Sequence, residues 1–133
     1  INKKNSRISG YLFDYFNPKF NKHIKLSHNE WACFTVASLE QIGGNFKKFV
    51  NFLKLNKPKI IINIEPINEL MSNQSILDYL SVQYSLNRNY LKNYYDYLKK
   101  LEKKKIIKIL EVKKSHFGSL YINGYSIIVW KFR

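Results

Sequence analysis

Three carboxylates stand at or just beyond the ends of strand-like apolar segments. They are Asp14 within ISGYLFDYF, Glu40 after WACFTV, and Glu65 closing KIIINIE. In an open α/β sheet, ligands bind outside the carboxyl ends of the strands. Acids delivered there by three successive strands would face one crevice, where they could take protons or orient hydroxyl groups. The plainer reading of each acid alone is a helix or loop cap. Other catalytic groups are sparse. His23, His28 and His116 show no metal spacing such as H-E-x-x-H, so a structural or surface role is expected for each, and no metal site is expected. The single cysteine, Cys33, excludes an internal disulfide framework and a cysteine-based zinc site. It lies inside a strand-like run, where a buried, inert thiol is the expectation. The sequence contains no G-x-S-x-G, P-loop or G-x-G-x-x-G pattern.

The elements that must position the three acids follow from apolar spacing. Residues 8–16 are rich in aromatic and β-branched side chains and read as a strand, ended by Asn17-Pro18. Residues 31–36 (WACFTV) form a nearly continuous apolar run, as in a strand buried on both faces. Gly43-Gly44 gives a turn and Asn45 an N-cap. Phe46, Phe49, Val50 and Leu53 then repeat at the helical period. Pro58 ends that helix, residues 59–65 read as a buried strand, and Pro66 closes it. Strand, helix and strand in this order predict a parallel βαβ crossover. Ser75 caps a short helix over 76–84, and a second helix runs over about 89–104 with Leu91, Tyr94, Tyr95, Leu98 and Leu101 on its apolar face. Residues 106–112 and 125–132 read as a closing antiparallel pair, with Gly118 and Gly124 bracketing a hairpin-like segment. The expected order is β, β, α, β, α, α, β, β.

Length, composition and charge bound the class. The 133 residues suit one domain or part of one, and 45% hydrophobic content excludes wholesale disorder. The longest apolar runs are strand-sized, so no membrane-spanning helix is expected. No signal peptide is expected, because the first ten residues are polar and basic. The chain begins with Ile rather than Met, which reads as a fragment or processed product. The net charge of +14 invites a polyanion partner. Yet 20 of the 23 basic residues are Lys, whereas readers of bases and phosphates favour the bidentate fork of Arg. A Lys/Asn/Ile bias is also what an AT-rich coding sequence produces without functional meaning.

Four segments carry a resemblance to a known family: SGYLFDYFNP (9–18), FTVASLEQIG (34–43), KPKIIINIEPINEL (57–70), and the block over 77–130. That block includes RNYL, FGSL and GYSIIVW. Together they resemble the C-terminal portion of a class I S-adenosylmethionine-dependent methyltransferase. More narrowly, they resemble the sugar O-methyltransferases of bacterial surface-polysaccharide loci. The resemblance implies an α/β fold, a partial Rossmann-like sheet of strand order 3-2-1-4-5-7-6, with this chain supplying strands three to seven. It implies a cytoplasmic enzyme that methylates a small-molecule or glycan acceptor with S-adenosylmethionine, and leaves homo-oligomerisation open. Asp14 would approach the adenine amino group, with Phe13 or Tyr15 beside the ring. Ser38 and Gln41 would border the cofactor's methionine part. Glu40 would act as a base or orient the acceptor, Glu65 would contact the acceptor or a metal, and Arg88, Asn89 and Tyr90 would line the acceptor pocket. The family's first two strands are missing, and with them the glycine-rich loop and the acid that hold the cofactor. The isolated chain is therefore expected to be a single partial domain without activity of its own.

An alternative reading is a basic nucleic-acid-binding module. Residues 75–132 could form a helix-turn-helix, with the turn at Ser85-Leu86-Asn87, followed by a wing. Lys99, Lys100, Lys103, Lys104, Lys105, Lys113 and Lys114 would then meet phosphate. The apolar stripe of the second helix and the two buried-strand patterns argue against it, so a nucleic-acid partner is not the favoured expectation.

Overall fold

A computed structural model describes residues 8–24, 26–28, 30–72, 74–114 and 124–133. Four strands form one mixed sheet: β1 (Ala32–Val36), β2 (Ile60–Glu65), β3 (Ile107–Lys113) and β4 (Ser126–Phe132). Their spatial order is β1-β2-β4-β3. β1 and β2 are parallel, with Ala32 opposite Ile60 and Val36 opposite Ile64. β4 is antiparallel to both β2 and β3. The parallel pair requires a crossover, which is α1 (Lys47–Asn56). Two further helices follow β2, namely α2 (Ile76–Asn87) and α3 (Tyr94–Lys103). Among the described residues no helix is long and apolar enough to cross a membrane.

The helices form where spacing and capping agree. In α1 the buried residues are Phe49, Val50, Phe52 and Leu53. Its end is a left-handed Lys57, whose N–H bonds the Leu53 carbonyl at 2.8 Å, and Pro58 then prevents continuation. Ser75 caps α2 by accepting the Asp78 N–H. In α3, Tyr94 and Leu98 are four residues apart and both buried. The Glu69 carboxylate accepts the Tyr95 N–H at the start of α3, where a negative charge suits the helix dipole.

One sheet face carries the core. Thr35, Ile61, Asn63, Ile128 and Trp130 are buried there. Phe49 and Phe52 of α1 share a groove with Cys33 and Thr35, and Tyr94 of α3 bonds Asn63, so both helices cover this same face. Asn63 ties the layers together. Its Oδ1 accepts from the Tyr94 hydroxyl at 2.9 Å and the Trp130 indole at 2.8 Å, and its Nδ2 donates to Thr35 at 3.0 Å. A buried amide is tolerated in the middle of a sheet because it is bonded in this way. The opposite face is open. Phe34 is 71% exposed and Val36 49%, while Ile62, Ile64, Ile127 and Val129 are half-buried.

Several expectations need correction. Residues 8–16 are not a strand. Asp14 Oδ1 accepts the Phe16 N–H at 2.8 Å and its carbonyl accepts the Asn17 N–H, a local turn that stops extension. Phe13 and Tyr15 pack instead against Phe49 of α1. Among the described residues the sheet therefore has four strands, not the five expected. β1 is not buried on both faces, because it lies at the sheet margin and one of its faces is uncovered. Phe46 rather than Asn45 occupies the cap of α1, with no side-chain cap bond. α2 runs three residues beyond 84, while α3 starts only at Tyr94, because Asn89 and Asn93 adopt left-handed backbone angles that interrupt a helix. The hairpin-like segment expected between the last two strands falls on residues 115–123, outside the described ones, as does His116. Cys33 is half-buried, and its burial pushes the thiol pKa up to about 11, away from reactivity.

Candidate functional site

The site begins with a fully buried glutamate. Glu65 ends β2 with its carboxylate turned to the chain that leaves β1. Its Oε1 accepts the N–H groups of Ser38 at 3.3 Å and Leu39 at 3.0 Å. Its Oε2 accepts the Glu40 N–H at 3.2 Å. These amides open a single 3-10 turn, Leu39–Ile42, and have no partners of their own in such a turn. A carboxylate meets them with charge-assisted bonds. Glu65 thus holds the turn and fixes the backbone of Glu40.

Glu40 is itself buried. Its Oε1 accepts from Gln41 Nε2 at 2.9 Å. Burial raises the pKa of Glu40, and the nearby charge of Glu65 adds to the rise, while the Gln41 bond works in the other direction. On the other side of Glu65, Ser38 Oγ lies 2.9 Å from the Tyr15 hydroxyl.

Glu40 opens on a cavity of about 90 Å³. Pro66 and Asn68, just beyond β2, form one wall, and Ser81, Tyr84 and Ser85 of α2 form another. Tyr90 and Tyr125 complete the lining with Met71. The cavity therefore lies at the carboxyl end of β2, where Tyr125 enters at the start of the antiparallel β4. The Tyr84 and Tyr90 rings meet edge-on, 6.0 Å between centroids and 76° between planes. The Arg88 guanidinium lies 5.4 Å from the Tyr84 centroid. Burial raises the Tyr125 pKa, and the charges of Glu40 and Glu65 raise it further.

The structure brings Tyr15, Ser38, Glu40, Gln41 and Glu65 into one bonded cluster, and sets Tyr90 in the cavity beside Glu40. Asp14 is exposed, with one oxygen engaged by its own turn. Phe13 is packed among Tyr15, Phe49 and Phe52. Arg88 and Asn89 are exposed and outside the lining, and the Asn89 side chain accepts from Lys92 Nζ at 3.0 Å. Asn89 also explains Gly43. A Cβ at this left-handed glycine would lie 3.0 Å from the Asn89 carbonyl.

Tyr84 and Tyr125 were not among the residues expected from sequence. Tyr84 carried one usable signal, a ring four residues before Arg88 on one helix face. Tyr125 carried none, since only the pairing of Glu65 with Ser126 brings it to the site. A second, open groove of about 340 Å³ follows β1 beside Phe13, Phe20, Trp31 and Phe49, and it is mainly apolar. No family model matches the chain, and neither a curated protein nor a solved structure matches it.

Proposed function

We propose that the chain is the acceptor-binding part of an S-adenosylmethionine-dependent methyltransferase that transfers a methyl group to a sugar hydroxyl. The observation that carries this reading is the strand order β1-β2-β4-β3, with an antiparallel β4 lodged between β2 and β3. The resemblance implies the same order for its strands four, five, seven and six. The position of Glu40 supports the reading further. A buried carboxylate of raised proton affinity, next to a cavity at the strand ends, suits removal of a hydroxyl proton.

The cofactor side is not complete in these residues. Asp14 is exposed and tied into its own turn, and Phe13 and Tyr15 spend their rings on α1. The margin of β1, free among the described residues, and the open sheet face offer a place for the strands and helices that would complete such a site. The same topology weighs against the nucleic-acid alternative. β4 sits between β2 and β3 rather than in a projecting wing, and α3 buries Tyr94 and Leu98 against the sheet.

The test is a calorimetric titration of S-adenosylhomocysteine into this chain and into the natural gene product that contains it. Binding is expected for the whole product, with Glu40→Gln reducing turnover and leaving cofactor affinity intact. No binding by the whole product would sink the reading.

A further inference from the structure

The outer sides of α1 and α3 concentrate positive charge. In α1 the exposed residues are Lys47, Lys48, Asn51, Lys54 and Leu55, and in α3 they are Lys99, Lys100 and Lys103. The spacing keeps each set on one side of its helix, away from the buried Phe49 and Leu53 of α1 and Tyr94 and Leu98 of α3. The two helices lie side by side and run the same way. Phe46, at the start of α1, meets the rings of Tyr94 and Tyr97 at 5.1 and 5.4 Å. Lys54 and Lys57, at the end of α1, share a groove with Lys105, just past α3. Both sets of lysines therefore belong to one layer, ~15 Å along the helices. The two helices contain only two acids. Asp96 is paired with Lys99 at 2.7 Å, and Glu102 accepts the Ile109 N–H of β3. Coding bias can raise the number of lysines, but it does not choose their face.

The chemistry of this face selects among polyanions. Neither helix contains an arginine, so the charges are points on mobile stems rather than forks that fix one phosphate. The exposed positions carry no ring on which a nucleic-acid base could stack. Leu55 is 76% exposed amid the lysines. Such a side chain gains where the partner has a hydrocarbon layer beneath its charges. An anionic bilayer has both, and its headgroups are held by diffuse positive charge.

We propose that the α1–α3 face lies on an anionic lipid surface, with its lysines over the headgroups and Leu55 entering the acyl boundary. None of these residues lines the cavity beside Glu40, so the proposal stands apart from the methyl-transfer reading.

The test is co-sedimentation of the full chain with vesicles of phosphatidylcholine alone and of equal parts phosphatidylcholine and phosphatidylglycerol. Sodium chloride is set at about 0.1 M and about 1 M, where charges act over ~10 Å and ~3 Å. Binding is expected to the mixed vesicles alone, and only at the lower salt. Replacing Lys48, Lys54 and Lys100 together by Gln should weaken it by about a hundredfold. Replacing Lys108, Lys113 and Lys131 by Gln removes the same charge from the open sheet face, where they pair along β3 and β4, and should weaken it by less than about tenfold. Leu55→Ser should weaken it by about three- to tenfold. All seven residues are exposed, so these changes do not threaten the fold. Four results would each overturn the assignment: no binding to the mixed vesicles, equal losses in the two triple variants, an unaffected Leu55→Ser, or displacement from the vesicles by duplex DNA at equal phosphate concentration.

Discussion

Two buried glutamates at the same strand ends have opposite surroundings. Glu65 accepts three backbone N–H groups, whereas Glu40 accepts from one side-chain amide and has the negative charge of Glu65 beside it. The first is an anchor and the second a poised group. Removing the anchor should therefore be costly. Glu65→Ala leaves three amides of the turn Leu39–Ile42 without their acceptor. A hydrogen bond to a charged group contributes roughly 1.5–3 kcal/mol, and such losses are not additive in one cluster. A stability loss of about 3 kcal/mol is expected, read as a lower urea midpoint with an unchanged slope. A loss below about 1 kcal/mol would mean that the turn satisfies its amides another way. Glu65 was visible in the sequence as a strand-end acid. Its role was not, because the amides it serves lie 25 to 27 residues away.

At the scale of elements, the junction between α2 and α3 shapes the cavity. α2 brings Tyr84 and the junction brings Tyr90. The apolar spacing from Leu91 onward reads as uninterrupted helix, yet Asn89 (φ 52°) and Asn93 (φ 61°) break it. Asparagine tolerates these angles where a β-branched residue does not. Asn93→Val is expected to cost about 1–2 kcal/mol, and Asn93→Gly to cost nothing, by comparison of urea midpoints. Equal stability of the two variants would show that the left-handed angle is not enforced. Where the apolar pattern was clear, the sequence disclosed its elements: α1 from Phe49, Val50 and Leu53, though not its cap, β2 from its isoleucines, and α2 with its Ser75 cap. Residues 8–16 misled because aromatic alternation marks a strand only when a partner edge is taken up. Here Phe13 and Tyr15 found the side of α1 instead. The pairing of β4 between β2 and β3 was legible only through the resemblance, since no local pattern encodes which strands meet.

For the whole molecule, two opposing surface properties meet. Both covering helices lie on one sheet face, so the other presents Phe34, Val36 and half-buried isoleucines to water, next to a β1 margin that no described residue pairs. A flat apolar face beside a free strand edge favours association. The net charge of +14 opposes it, because every copy repels every other. Salt decides between them. Screening shortens the reach of the repulsion from ~30 Å at 0.01 M to ~8 Å at physiological ionic strength, while the apolar attraction is undiminished. Sedimentation velocity should therefore give a monomer at low ionic strength and a rising weight-average mass as sodium chloride is added. Phe34→Lys, at a residue 71% exposed and outside the core, should abolish that rise without lowering the thermal midpoint. A purely electrostatic self-contact would weaken with salt, so a falling mass would reverse the argument. A constant monomer at high salt would mean that the open face is too curved or too small to hold a second copy.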